Sequence, residues 1–205
     1  MSERSLPDQL FFPIVVLLAV TMVVLALRPF ADRKPSGPVS GAGRDALNLT
    51  IEGDELYRFV AGTVGTLDLV DAEGGNPTLI TISLEAREAY DTPLYGPHLV
   101  LEADLERNYV GRDLEITVEA RSSEEWGASA MEVNYSTGRF GESGWETFNL
   151  TPDFKSYSFI YEVPHTDSSM GHDYLAIRPV VPEKQRSMTV RSIRLRGIGD
   201  KRPRE

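Results

Sequence analysis

Two histidines bracket the polar loop in which a metal site would most naturally form. The loop runs HTDSSMGHD, and its candidate ligands are His165, Asp167, His172 and Asp173. Imidazole and carboxylate groups bind divalent metals. However, the spacing of the two histidines matches no established ligand pattern, and polar loops collect these residue types as turn formers. We therefore expect no metal and no cofactor, and we expect the third histidine, His98, to be exposed at a strand start.

The sequence carries no recognisable catalytic constellation. Ser143 lies in GESGW, whereas a nucleophile elbow requires Gly-x-Ser-x-Gly between a strand and a helix. Paired carboxylates could hydrolyse glycosides, but the acidic residues alternate along predicted strands as on a solvated surface, for example Glu115, Glu119 and Glu132. We expect a protein that is not an enzyme, and an envelope hydrolase is left open as an alternative.

Aromatic residues in polar loops are the candidates for contacting a ligand or a partner. Trp126 lies in SSEEWGAS, and Tyr90 and Tyr95 lie in AYDTPLYG. Exposed rings stack on sugar faces or anchor protein interfaces. Trp126 could alternatively cover one end of the fold. Trp145 begins a strand that also contains Phe148, and we expect it in the core.

An apolar segment near the N-terminus predicts a transmembrane helix. It runs LFFPIVVLLAVTMVVLAL without a charge, and Arg28 follows it. As a helix it would cover roughly 27 Å, close to the hydrocarbon thickness of a bilayer. A cleaved signal peptide or a buried core helix are the alternatives. We expect a short tail over 1–9, a span over 10–28 in the inner membrane with lipid as a partner, and a periplasmic domain.

The composition of the chain argues against one class of partner and indicates where the domain begins and ends. The 205 residues carry a formal charge of −10, which argues against nucleic acid as a partner, and contain no cysteine. Residues 29–46 are rich in proline and glycine and predict a linker. A single domain is predicted over 47–198, followed by a basic tail over 199–205.

The domain has a period-two hydrophobic pattern that predicts strands throughout. Leu114, Ile116, Val118 and Ala120 alternate with polar residues, and similar alternation recurs in segments around 47–51, 80–84, 99–105, 131–135, 157–163, 175–177 and 188–195. The last segment changes phase between Val190 and Ile193, as a β-bulge would require. We predict an all-β domain of about eight to eleven strands in two packed sheets, with no helix after residue 27.

The order of these strands resembles a known family of folds. VGRDLEITVEARSS, AMEVNYSTG, SGWETFNLTPDFKSYSFIYEVP, HDYLAIRPV and MTVRSIRL follow one another over about residues 97–197. This succession is similar to the jelly-roll β-sandwich of carbohydrate-binding and galactose-binding-like modules. The resemblance implies a jelly-roll fold and a possible glycan partner.

These features together give two functional expectations. The first is a non-catalytic, single-span protein whose β-sandwich contacts other membrane-protein subunits, as an accessory subunit of an inner-membrane assembly of the respiratory or photosynthetic type. The alternative is a membrane-tethered carbohydrate-binding module that acts on envelope polysaccharide.

Overall fold

The computed structural model describes residues 8–27, 34–85, 91–165 and 171–203, in two compact units, Met1–Lys34 and Pro35–Glu205. The first unit contains helix α1, Asp8–Leu27. Within the described residues, no helix combines the length and the apolar character needed to cross a membrane. This finding corrects the prediction of a transmembrane helix over 10–28 with lipid as a partner.

The second unit is a sandwich of two antiparallel sheets, as the alternation predicts. In chain order its strands are β1 Asn48–Glu52, β2 Thr66–Val70, β3 Leu79–Leu84, β4 His98–Leu101, β5 Asp113–Ser122, β6 Ala130–Ser136, β7 Glu146–Asn149, β8 Lys155–Glu162, β9 Asp173–Pro179 and β10 Arg186–Ile198. The larger sheet has the order β2-β3-β10-β5-β8, with β1 also paired to β10, and the smaller sheet has the order β4-β9-β6-β7. The core lies between them, because the inward-facing residues of both sheets are buried, including Ile116, Val133 and Ile177.

Strand β10 contains the predicted bulge. Its register against β5 shifts between Val190 and Ser192. At the same point its other edge changes partner, from β3 for Arg186–Val190 to β1 for Ser192–Arg196. The extra residue turns Met188 and Ile193 to the same buried side although they differ in parity.

The prediction of a single strand over 99–105 is wrong. Strand β4 ends at Leu101, and helix α2 occupies Ala103–Tyr109. Leu105 and Tyr109 are four residues apart and both fully buried, which is the helical spacing. The alternation from Leu99 to Leu105 fits either one long strand or a strand followed by a helix. In the second case, the buried side of the helix continues the buried side of the strand.

The domain also contacts residues on both sides of its predicted boundaries. Val39, in the predicted linker, is fully buried and bridges Leu101. At the other end, Arg202 donates to the Asp113 carboxylate at 2.5 Å and to the Val163 carbonyl oxygen at 2.8 Å. The basic C-terminal segment is therefore docked on the domain as far as Arg202.

Candidate functional site

The outer face of the smaller sheet, which faces away from the core, is polar and partly covered. Its residues have the opposite parity to the core positions of the same strands, and they include His98, Val100, Glu132, Asn134, Ser136, Tyr174, Ala176 and Arg178. Asn134, Ala176 and His98 lie side by side across three strands, and their exposures are 1%, 0% and 6%. Outward-facing residues become this buried only when another part of the chain covers them.

The segment Asp91–Gly96, which we call the strap, passes over this face. Its centre is the 3₁₀ turn Pro93–Tyr95, in which Pro93 is buried. At one end, Trp145 Nε1 donates to the Asp91 carbonyl oxygen at 3.2 Å. At the other end, the Tyr95 carbonyl oxygen accepts from the backbone N–H groups of Thr63 and Val64 at 2.8 and 2.9 Å. The strap is thus fastened at both ends.

Gly62 permits the close approach at the second of these anchors. Its φ is +76°, and a Cβ built there would lie 2.5 Å from the Tyr95 carbonyl oxygen and 2.6 Å from that of Gly96. Any other residue would require either the strap or residue 62 to move.

A pocket of about 500 Å³ lies between the strap and the turn Gly138–Glu142. Asp91–Leu94 form one wall, Gly138, Gly141 and Glu142 form another, and Ser136 and Tyr174 also line it. This volume lies within the range typical of small-molecule sites. The lining combines one aromatic ring, the hydroxyl groups of Thr92, Ser136 and Tyr174, and two carboxylates, and it can bind a ligand with an apolar face and several hydrogen-bond donors.

The ring of Tyr174 has an aromatic neighbour on the same face of the sheet. The His98 ring packs against it edge-on, with centroids 6.0 Å apart, and His98 Nδ1 donates to the Gly96 carbonyl oxygen at 2.7 Å. His98 therefore connects the aromatic wall to the strap. The prediction that His98 begins a strand is confirmed, but the prediction that it is exposed is wrong, since the strap covers it.

Asn134 fixes the carboxylate of Glu142. Its Nδ2 donates to Glu142 Oε2 at 3.2 Å. Because a carboxylate only accepts hydrogen bonds, the amide nitrogen must face Glu142 and Oδ1 must point elsewhere. Oδ1 is buried and accepts no hydrogen bond from any residue that the structure describes.

The predicted contact residues are not brought together. Tyr95 lies on the strap beside the pocket wall and is 55% exposed, whereas Tyr90 lies outside the described residues. Trp126, which is 57% exposed, lies elsewhere, where its carbonyl oxygen accepts from the N–H of Ser187 at the start of β10. Whether Trp126 or Tyr95 contacts a ligand stays a prediction.

The predicted loop ligands point in different directions. Asp173 is 1% exposed and accepts a hydrogen bond of 2.5 Å from the Tyr135 hydroxyl within the core, whereas His172 Nδ1 donates to the Leu101 carbonyl oxygen at 3.2 Å. His165 is exposed and its ring lies against Gly111. Asp167 lies outside the described residues, and those described contain no group of three potential ligands.

Burial raises the pKa of Asp173 to about 6. The Tyr135 hydroxyl opposes that shift, the nearby Glu106 carboxylate adds to it, and His172 opposes it. The carboxyl group therefore belongs to the packing of the core rather than to the pocket.

Sequence reasoning missed Tyr174 and misplaced Trp145. Tyr174 has the opposite parity to the core residues Leu175 and Ile177, and this was the available signal. Trp145 was expected in the core, but it is only half-buried and its ring lies over Arg178. The strap could not be seen, because its position depends on contacts between distant segments.

Comparison with known proteins establishes the fold. No protein-family model and no curated protein match the sequence. The CBM22-1 xylan-binding domain of Paenibacillus barcinonensis Xyn10C superposes with a TM-score of 0.50 at 11% identity, over 76% of this chain and 95% of that domain. The CBM22-1-CBM22-2 tandem domain of the same Xyn10C gives 0.50 at 9% identity, over 70% of this chain and 43% of that one. A CBM4 structure superposes with a TM-score of 0.45 at 12% identity, over 75% of this chain and 97% of that structure. The domain has the β-sandwich fold of carbohydrate-binding modules.

These findings overturn the first functional expectation. That expectation was a single-span accessory subunit of a respiratory or photosynthetic assembly, and the described residues contain no helix able to cross a membrane. The two Xyn10C superpositions, at 11% and 9% identity, show the fold alone. The predicted periplasmic location is not tested by these observations and stays a prediction.

Proposed function

We propose that the domain binds carbohydrate without transforming it, in the pocket between the strap and the turn Gly138–Glu142. The observation that carries this proposal is the composition of the pocket wall, where the Tyr174 ring lies beside the carboxylate of Glu142 and the hydroxyl of Ser136. Sugars present an apolar C–H face that stacks on an aromatic ring, and hydroxyl groups that donate to carboxylates.

The arrangement around these groups supports the same function. His98 packs against the Tyr174 ring and Asn134 positions the Glu142 carboxylate, so both contacts are oriented before a ligand arrives. Pre-orientation lowers the entropic loss on binding. The fold shared with xylan-binding domains is consistent with a glycan ligand.

Retention of the full chain on polysaccharides tests the proposal. We would run affinity electrophoresis against xylan, cellulose, mixed-linkage β-glucan, chitin and pectin. The wild-type chain should be retained by at least one polymer, Tyr174→Phe should bind similarly because the ring remains, and Tyr174→Ala should bind at least tenfold more weakly.

Trp126→Ala tests the sequence-based prediction in the same assay. This variant should be retained like the wild type if the pocket is the site. Loss of retention in Trp126→Ala, with Tyr174→Ala unaffected, would move the site to the Trp126 loop. Release of reducing sugar from a retained polymer would contradict the non-catalytic part of the proposal, and no retention on any polymer would remove the proposal.

A further inference from the structure

We propose that the strap limits this site to a short glycan segment, about two or three sugar units, so that a longer chain gains no further affinity. The inference rests on the proposed function and gives the size of its ligand. It follows from the path of the strap, from its two anchors, and from the way it divides the outer face of the smaller sheet.

The strap crosses the sheet from one edge to the other. Gly96 leads into β4, which is one edge strand, while Asp91 is bonded to Trp145, the residue before β7 at the opposite edge. Four neighbouring strands are roughly 14 Å across. The strap therefore forms a continuous barrier over the width of the sheet.

This barrier separates two groups of outward-facing residues. Along β9, Tyr174 lies in the pocket and Arg178 does not, and Ala176 between them is fully buried. On the Arg178 side, Glu132 Oε2 accepts from Arg178 Nε at 2.6 Å and the Trp145 ring covers the guanidinium group. A sugar chain in the pocket cannot continue along the strands to Arg178 and Glu132 without displacing the strap.

The anchors argue against easy displacement. The Tyr95 carbonyl oxygen accepts hydrogen bonds from Thr63 and Val64, and Gly62 allows the backbones to meet. At the opposite end, the described residues include the donor Trp145 Nε1, which bonds to the Asp91 carbonyl oxygen. Replacing that donor while keeping an aromatic ring is therefore the most selective way to loosen the strap.

Calorimetric titration with oligosaccharides of increasing length tests this inference on the full chain. The probes are xylo-oligosaccharides and cello-oligosaccharides of two to six sugar units. For the wild type, affinity should rise up to the trisaccharide and change less than twofold from three to six units. In Trp145→Phe, the hexasaccharide should bind at least threefold more tightly than the trisaccharide.

The outcomes separate the two proposals. A tenfold or greater rise in wild-type affinity from three to six units would overturn the short-segment inference and leave carbohydrate binding intact. Absence of binding to every oligosaccharide, together with no retention on any of the five polysaccharides, would overturn both. The wild-type series is decisive even if Trp145→Phe is unstable, and a thermal melt identifies that case.

Discussion

The indole ring of Trp145 lies over the guanidinium group of Arg178, with Cζ 3.8 Å from the ring centroid. Arg178 is tied to Glu132 on the neighbouring strand, and Trp145 is tied to the strap through Asp91. One stacked pair thus connects the sheet to the segment that covers it.

Trp145→Ala should lower the free energy of unfolding by about 1–2 kcal/mol, because it removes a half-buried cation–π contact together with a hydrogen bond. Trp145→Phe should retain part of that energy. Urea unfolding followed by circular dichroism measures both variants. Trp126→Ala is the matched control, since Trp126 is exposed, and it should change stability by no more than about 0.5 kcal/mol. Equal losses in the two alanine variants would contradict a structural role for the stack.

Gly62→Ala should be much more damaging than Gly53→Ala. Both glycines have positive φ, +76° and +59°, but a Cβ at Gly53 meets nothing within 4 Å whereas one at Gly62 would collide with the strap backbone. We expect about 1 kcal/mol of destabilisation at Gly53 from φ alone, and at least about 2 kcal/mol at Gly62.

Thermal melts compare these two glycine variants directly. If both lost the same stability, the approach between Gly62 and the strap would not be tight. Gly62→Ala should also weaken oligosaccharide binding, while Gly53→Ala should not, because only Gly62 touches the strap.

Glu142→Gln should weaken binding of neutral oligosaccharides about three- to tenfold. The variant keeps an acceptor for Asn134 Nδ2 but replaces a charged acceptor for the ligand with a neutral one, and charged acceptors form stronger hydrogen bonds. Calorimetric titration measures the change. Glu125→Gln removes the same charge from the exposed Trp126 loop and serves as the control. Unchanged affinity in Glu142→Gln would exclude this carboxylate from ligand binding.

Acidic glycans should bind more weakly than their neutral counterparts. Asp91 and Glu142 both line the pocket, and a uronate placed there would be repelled. Paired titrations with a neutral xylo-oligosaccharide and its glucuronate-substituted form measure the difference, which should exceed fivefold. Preference for the acidic form would reverse this conclusion about the charge of the pocket.

The Asp173 carboxyl group should make stability depend on pH. Its pKa is raised from 3.8 to about 6 in the folded state, so between these values the folded chain binds more protons than the unfolded chain. Its contribution is therefore most favourable below about pH 4, falls as pH rises to about 6, and is constant above that.

Asp173→Asn removes this titration and keeps an acceptor for the Tyr135 hydroxyl. The unfolding free energy of the variant minus that of the wild type should rise by roughly 2 kcal/mol between pH 4.5 and pH 7.5. Subtracting the wild-type value removes the contributions of the groups that titrate alike in both proteins. A difference that is flat with pH would show that Asp173 titrates alike in the folded and unfolded chains.

The parts of the fold visible in the sequence are those set by local patterns. Alternation located most strands, and the phase change between Val190 and Ile193 located the bulge, because side-chain parity follows directly from strand geometry. Helix α2 was missed because the spacing of Leu101 and Leu105 fits either a strand or a helix.

The candidate site was harder to predict because tertiary contacts assemble it. Nothing near Asp91 in the chain indicates that its carbonyl oxygen meets Trp145, and the burial of His98 and Asn134 follows from that crossing. Tyr174 could be assigned to the outer face from parity, but not to a pocket. The aromatic residues in polar loops could be identified from the sequence because polar residues surround them. The pocket could not, because its residues come together only through the topology of the fold.

Strand β10 has a consequence for synthesis of the protein. It pairs with β1, β3 and β5, so among the described strands residues 186–198 join the two halves of the larger sheet. While a ribosome is still making the preceding residues, β1 and β3 wait for a partner that has not yet emerged. The domain can complete its core only after β10 has been made, and its unfinished strands need protection from pairing with other nascent chains until that point.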